Sequence, residues 1–286
     1  MRRMLAFTAA LILTLGLAGS AAAAPGASGD HAMLYYLSLG DSLAAGQQPT
    51  GDPDDLFRTS DGYPDQLYRM AQAEFPKLRH VKLGCPGEST ETFVAGGICE
   101  YPHGSQLDEA LAFLHAHRKF VAFVTIDLGW NDFPCQTGLE CIPPGAAAIA
   151  SNLPGILTAL REAAGPDVPI VGGTIYDPFL VYWLQGTPEA RALAQLSVFD
   201  AIVPINAMVT GIYAAHGIPV ADVEGTFSTT DFTTLVPMPP YPEPVPLNVA
   251  RVCGWTWTCM TGGQDFHANT DGYHAIALAY RAVLGF

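Results

Sequence analysis

The chain's 286 residues are enough for one large α/β domain, or two small ones, with a full hydrophobic core. Hydrophobic residues make up 49% and charged residues 14%, which excludes a disordered chain and a coiled coil. Thirteen Lys and Arg face 27 Asp and Glu, a net charge of −14, so a phosphate backbone is repelled and nucleic acid is not an expected partner.

The N-terminus reads as an address. Arg2 and Arg3 precede an apolar run, Met4 to Leu17, followed by small residues from Ala18 to Ala24. This is the layout of a secretory signal peptide with an A-x-A cleavage site, and cutting after Ala23 keeps Pro25 off the new terminus. An uncleaved anchor is the alternative, but the run is short against the roughly 20 residues of a membrane span. The expected division is a signal peptide over 1–23, a polar leader over 24–32 and a single domain over 33–286. No later segment reads as apolar for long enough to cross a bilayer, and export leaves an extracellular protein, expected to be a monomer.

Within the domain, Met33 to Leu39 is an apolar, Tyr-rich run ending at Gly40, which predicts a buried first strand. Tyr63 to Phe75 has helical spacing, and His80 to Leu83 reads as a short second strand. Ser105 to His117 is a clearer helix with Ser105 as N-cap. Phe120 to Leu128 is continuously apolar and β-rich, as in a strand buried on both faces. A helix over Ala146 to Ala164, with Pro154 as a possible bend, precedes a fourth strand over Val168 to Tyr176. One or two helices follow over Pro188 to His216, then a fifth strand over Ile218 to Val223. A closing helix spans Asp271 to Leu284, capped by Thr270 or Asp271. This alternation predicts an α/β fold, a three-layer αβα, flavodoxin-like, doubly wound sheet of about five parallel strands. The strand C-termini and the loops after them then share one ligand-binding rim. Pro237 to Pro246 holds too many prolines for a helix or central strand. It reads as a rigid surface loop, either a plain connection or a wall of the cleft.

All six cysteines follow the signal and form three near pairs, Cys85 with Cys99, Cys135 with Cys141 and Cys253 with Cys259. In an exported chain, nearest-neighbour disulfides across these short loops are the simplest proposal, although spacing does not fix connectivity. No C-x-x-C occurs and no histidine stands at finger spacing, so no metal is expected.

The chemistry-bearing residues fall at the predicted rim. Gly40-Asp41-Ser42-Leu43 follows the first strand, where a serine can serve as a nucleophile. Gly87, in Cys85-Pro86-Gly87-Glu88, follows the second strand. Asn131, in Gly129-Trp130-Asn131-Asp132, follows the third, and His267, in Asp265-Phe266-His267, precedes the last helix. Taken singly, each has a plain reading as a cap, a turn glycine or a hydrogen-bonded loop residue. Together and in this order, the blocks resemble those of the SGNH hydrolases, the GDSL-type lipase and esterase superfamily, in its secreted bacterial branch. The resemblance runs from about Tyr35 to the C-terminus and takes in Tyr101 to Leu107 and the Cys253 to Cys259 loop. It implies functional roles for Ser42, Gly87, Asn131 and His267, with no cofactor.

Residue chemistry supports the same roles. A serine hydroxyl needs a base to take its proton, and an imidazole, titrating near about 6.5 in water, suits that task. The backbone N–H groups of Ser42 and Gly87 and the Asn131 amide are candidate donors for an oxyanion hole. The chain departs from the superfamily's Asp-x-x-His, because Gln264 stands three residues before the histidine and Asp265 only two. Either Asp265 reaches the imidazole, or a backbone carbonyl near Gln264 orients it and leaves a Ser–His dyad. Tyr176, Phe179, Leu180, Tyr182 and Trp183 after the fourth strand, with Trp255, Trp257 and Phe266 around His267, are candidates for an apolar pocket that would favour lipid or aromatic esters. In other settings such aromatics are core. The expected activity is a secreted serine ester hydrolase acting on a small-molecule or lipid ester. A catalytically inactive binder of acylated ligands and an acyltransferase are the alternatives. The G-x-S-x-G elbow of α/β-hydrolases and the phosphate-binding glycine loops do not occur.

Overall fold

Two apolar runs that alternate between faces set the layers. In β1 (Leu34–Gly40), Leu37 and Leu39 are fully buried in one core cluster, while Tyr36 is fully buried in the other. The computed structural model describes residues 33–49, 56–133 and 140–286 of the chain. After β1 come α1 (Ser42–Ala45), a small antiparallel pair β2 (Gln47–Pro49) and β3 (Leu56–Arg58), and α2 (Tyr63–Ala71). Then follow β4 (Leu78–Lys82), α3 (Thr90–Ala95), α4 (Gln106–His117), β5 (Val121–Asp127), α5 (Ile142–Ala164) and β6 (Ile170–Gly173). The remaining elements are α6 (Pro188–Leu196), α7 (Val203–Ala215), β7 (Val220–Ala221), α8 (Val223–Thr226), the antiparallel pair β8 (Leu235–Val236) and β9 (Val245–Pro246), α9 (Leu247–Trp255) and α10 (Thr270–Leu284).

The central sheet has five parallel strands in the order β4-β1-β5-β6-β7. In order of occurrence along the chain this is the 2-1-3-4-5 arrangement of flavodoxin-like sheets, so the chain has the three-layer α/β fold that its sequence pattern predicts. Helices α4, α5 and α7 cover one face through Leu114, Leu153, Ile156, Leu160 and Ile205. Helices α2, α9 and α10 cover the other through Leu67, Val252, Ile276 and Tyr280. Burying side chains of this size stabilises the fold by about 1.5–3 kcal/mol each.

Several predicted boundaries move. Strand β6 ends at Gly173 rather than Tyr176 because Asn206, on α7, draws the next residues off the sheet. Its side chain accepts from the Ile175 N–H at 2.9 Å and donates to the Ile175 carbonyl at 2.9 Å. Strand β7 has only two residues and, among the described residues, pairs with β6 alone. The last helix is capped by neither Thr270 nor Asp271 but by Asn269, whose side chain accepts from the Gly272 N–H at 3.0 Å. Helices α3 and α9 and the β2–β3 pair have no counterpart among the elements that the sequence pattern predicts.

The expectation that no later segment could span a membrane needs correction. Pro188–Ala215 forms one continuous helical stretch of 28 residues, α6 and α7 joined by a π-turn, long and apolar enough to qualify by composition. Here Ala201, Ile205, Val209 and Tyr213 pack into the core beside α5, and Val198 packs into the cluster on the other side of the sheet. The expected signal peptide and leader lie outside the described residues. So does Cys135, and with it the Cys135–Cys141 pairing.

His80, on β4, stacks on Tyr36 with ring centroids 4.6 Å apart, and its Nε2 lies 2.8 Å from Ser38 Oγ. Burial, helped by the Lys82 ammonium, pushes its pKa down to about 3, although Asp65 Oδ1 is 3.8 Å from Nδ1. The unfolded imidazole binds a proton below about 6.5, whereas the folded one stays neutral down to about 3. Unfolding therefore takes up a proton in that window, and His80 lowers stability as the pH falls through it. His80→Gln is expected to flatten the decline in Tm on acidification, as thermal unfolding across the acidic range would show.

Candidate active site

Strands β1 and β5 are in register at their ends, with Gly40 opposite Asp127. Gly40 adopts φ +133°, and a β-carbon there would overlap the Asp127 carbonyl and carboxylate. Only glycine permits this approach. It lets the chain turn sharply into α1, whose first residue is Ser42. Asp41 caps that turn, its Oδ1 accepting from the Leu43 N–H at 2.9 Å. Burial pushes the Asp41 carboxyl up to about 7, opposed by the Leu43 N–H and by His267, and raises Asp127 as well.

The Gly87 segment is tied to this turn and to Asn131. The Cys85 N–H donates to the Gly40 carbonyl at 3.0 Å. Two residues on, Gly87 takes φ +85°, open on the side where a β-carbon would stand apart from Ile98. The Glu88 carbonyl then accepts from Asn131 Nδ2 at 3.0 Å. That nitrogen carries two hydrogens, which leaves the second for the cavity that Asn131 lines. Asp132 accepts from the Thr90 N–H at 2.9 Å and the Thr90 hydroxyl at 2.5 Å, locking the loop after β5 onto α3.

His267 sits in a loop closed by its own backbone. Trp257 N–H donates to the His267 carbonyl at 2.9 Å, and Thr256 bridges Ala268. The Cys253–Cys259 disulfide lies at the start of this loop, and Cys85–Cys99 spans the loop that carries Gly87. Asp265 Oδ1 is 2.7 Å from His267 Nδ1 and also accepts the His267 backbone N–H at 2.8 Å. A carboxylate only accepts, so Nδ1 bears the hydrogen and Nε2 is left as the basic nitrogen. The geometry thus pairs the imidazole with Asp265 rather than with a carbonyl near Gln264. Thr261 Oγ1 in turn accepts from the Asp265 N–H at 3.0 Å, and Asp265 Oδ2 is buried without a hydrogen-bond partner among the described residues.

Ser42, Asn131, Asp265 and His267 line one cavity of about 470 Å³ together with Leu43, Pro49, Trp130, Ile175, Tyr176, Thr261, Gln264 and Phe266. Gly87 is not in the lining, although its neighbour Glu88 is bonded to Asn131. Among the described residues no hydrogen bond joins Ser42 to His267; in ligand-free sites such bonds are often long and tighten on substrate binding.

Of the predicted pocket aromatics, Tyr176 and Phe266 line the cavity. Phe179 stands behind it, 5.4 Å from Phe266 and 6.2 Å from Trp130 between ring centroids. Trp183 meets Phe232 at a tilt under Arg191, Trp255 meets Phe227 edge-on under Arg251, and neither lines the cavity. Trp257 directs its Nε1–H to Gln48 Oε1 at 3.3 Å, and serves His267 through its backbone. Tyr176, whose hydroxyl donates to the Phe266 carbonyl at 2.6 Å, forms one wall. The proline-rich segment does not line this cavity and acts as a connection; its Tyr241 borders a shallow neighbouring one. No cluster suited to a metal occurs among the described residues.

The chain matches the model of the GDSL-like lipase/acylhydrolase family over residues 38–275. No curated protein matches it by sequence. Solved structures with the same fold include an acetylxylan esterase from Geobacillus stearothermophilus, at 16% identity and TM-score 0.54, covering 88% of this chain and 94% of that one. A lipase from a goat rumen metagenome follows at 17% identity and TM-score 0.51, with 88% and 98% covered. An α/β hydrolase enzyme from the metagenome of Lake Arreo, Spain, has 16% identity and TM-score 0.53, with 88% and 95% covered.

Gly40→Ala is expected to lower Tm by several degrees and to remove most activity, because the added carbon must push β1 off β5 beneath Ser42. Thermal unfolding with ester turnover on the same preparation measures both.

Proposed function

The chain belongs to the GDSL-like lipase/acylhydrolase family, carboxylic ester hydrolases, and we propose that it cleaves its ester through an acyl-enzyme on Ser42. Ser42 Oγ attacks the ester carbonyl carbon while His267 Nε2 takes its proton. The carbonyl oxygen becomes an oxyanion, received by the N–H groups of Ser42 and Gly87 and the free hydrogen of Asn131 Nδ2. Collapse of this intermediate breaks the bond to the alcohol, which leaves with the proton from His267. Water then attacks the acyl group with the same base, releasing the acid and restoring Ser42. Asp265 holds the tautomer in which Nε2 is basic and stabilises the imidazolium. The observation that supports this reading most is a single cavity lined by Ser42, Asn131 and a His267 already hydrogen-bonded to Asp265.

The walls formed by Leu43, Pro49, Trp130, Ile175, Tyr176 and Phe266 favour an apolar acyl or alcohol group, hence lipid or aromatic esters over a bare acetylated polysaccharide. Export completes the reading: the first 23 residues carry the layout of a signal peptide, and the Cys85–Cys99 and Cys253–Cys259 disulfides suit an oxidising compartment.

Ser42→Ala is expected to abolish turnover and covalent labelling by a fluorophosphonate, and an unlabelled, folded wild type would favour a binder. Asn131→Ala is expected to lower kcat by about 10²–10³ with little change in KM, the loss typical of one oxyanion donor. Asp265→Asn is expected to lower kcat by up to about 10⁴ through the wrong tautomer, whereas retention of most activity would leave a dyad. A series of chromogenic esters of increasing chain length reads the pocket directly.

A further inference from the structure

We propose that Gln106 is a positioning residue for the reaction, holding the main chain of Gly40 so that the Ser42 hydroxyl and N–H stay aligned with the Gly87 and Asn131 donors; this rests on the Ser42 reading above.

Gln106 opens α4, directly after its N-cap Ser105, and its side chain is completely buried. A buried primary amide is costly unless its hydrogen bonds are made, and here all are. Oε1 accepts from the Gly40 N–H at 2.7 Å, while Nε2 donates to the Gly40 carbonyl at 2.9 Å and to Glu88 Oε2 at 3.1 Å. One amide therefore bonds both the N–H and the carbonyl of Gly40. The reason lies in the sheet: β4 pairs with β1 only as far as Lys82 opposite Ser38. Gly40 runs past the end of that strand: its carbonyl still accepts from the Cys85 N–H at 3.0 Å, and Gln106 supplies the acceptor that its N–H would otherwise lack and a second donor to the carbonyl.

The same side chain joins the parts of the site. Gly40 stands two residues before Ser42, and Glu88 directly follows Gly87. The Glu88 carbonyl holds Asn131, so the amide links three stretches, each carrying one proposed oxyanion donor. Gln106 does not line the cavity and acts only through Gly40 and Glu88. Misplacing a reacting group by about 1 Å costs on the order of 10²-fold in rate.

Two variants test this. Gln106→Met keeps length and bulk but makes none of the three bonds. It is expected to lower kcat and the fluorophosphonate labelling rate of Ser42 by a common factor of about 10–100, with KM within about twofold. Gln106→Glu keeps an acceptor for the Gly40 N–H but sets a carboxylate oxygen against the Gly40 carbonyl and the Glu88 carboxylate. Its deficit relative to the wild type is expected to shrink as the pH falls from about 8 to about 5.5, because a protonated carboxyl regains a donor. A purely space-filling role would leave that ratio flat. A folded Gln106→Met enzyme that turns over and labels within about threefold of the wild type would overturn the proposal. If that variant does not fold, a pH-independent Gln106→Glu ratio overturns it. Ser42→Ala in parallel keeps the two questions apart: activity surviving that change refutes the nucleophile, not the clamp.

Discussion

The register between β1 and β5 is the constraint on which the rest depends. With Gly40 opposite Asp127, both strands end at one level, and the turns after them start from a common line. Ser42 opens α1 on one side and Asn131 lies in the turn after β5 on the other. A slip of one residue in this parallel pairing would turn every side chain of β1 to the opposite layer. It would put Leu37 and Leu39 where Tyr36 now packs and carry Ser42 away from the cavity. The two core layers and the site are therefore fixed by the same hydrogen bonds.

Below that line the protein buries acids at some expense. Asp41 and Asp127 lie under the serine turn, and burial raises the pKa of both. Their work is structural: one caps α1, and the other receives the Tyr63 hydroxyl at 3.2 Å. Asp265 spends one oxygen on both the backbone and the ring of His267. This double use explains how an acid only two positions before the histidine meets it. The carboxylate curls back over its own turn, where the superfamily's Asp-x-x-His would span one residue more.

The layer order and the rim were legible in the sequence because they follow from long-range rules. Uniformly apolar strands alternate with helices, and crossovers are right-handed, which leaves little freedom in where Ser42, Asn131 and His267 emerge. What stayed illegible depends on single side chains acting over distance. Nothing local says that Asn206 ends β6 early, or that Gln106 reaches Gly40 across 66 positions. The aromatics misled for a related reason. Trp183 and Trp255 lie close in sequence to cavity residues, yet each is drawn aside by an arginine and a second ring. Sequence proximity to a site does not set the direction of a side chain.

The capture of Ile175 by Asn206 has a consequence for how such a molecule diversifies. Once the chain leaves β6, Ile175, Tyr176 and the turn that follows are held from α7 and from the His267 loop, not by strand pairing. Two walls of the cleft are thus mounted on struts outside the sheet, while the groups proposed for bond-breaking on Ser42 and Asn131 are anchored to it. Selection can resculpt the contour of the recess by exchanging residues on those struts, with the reactive frame left untouched.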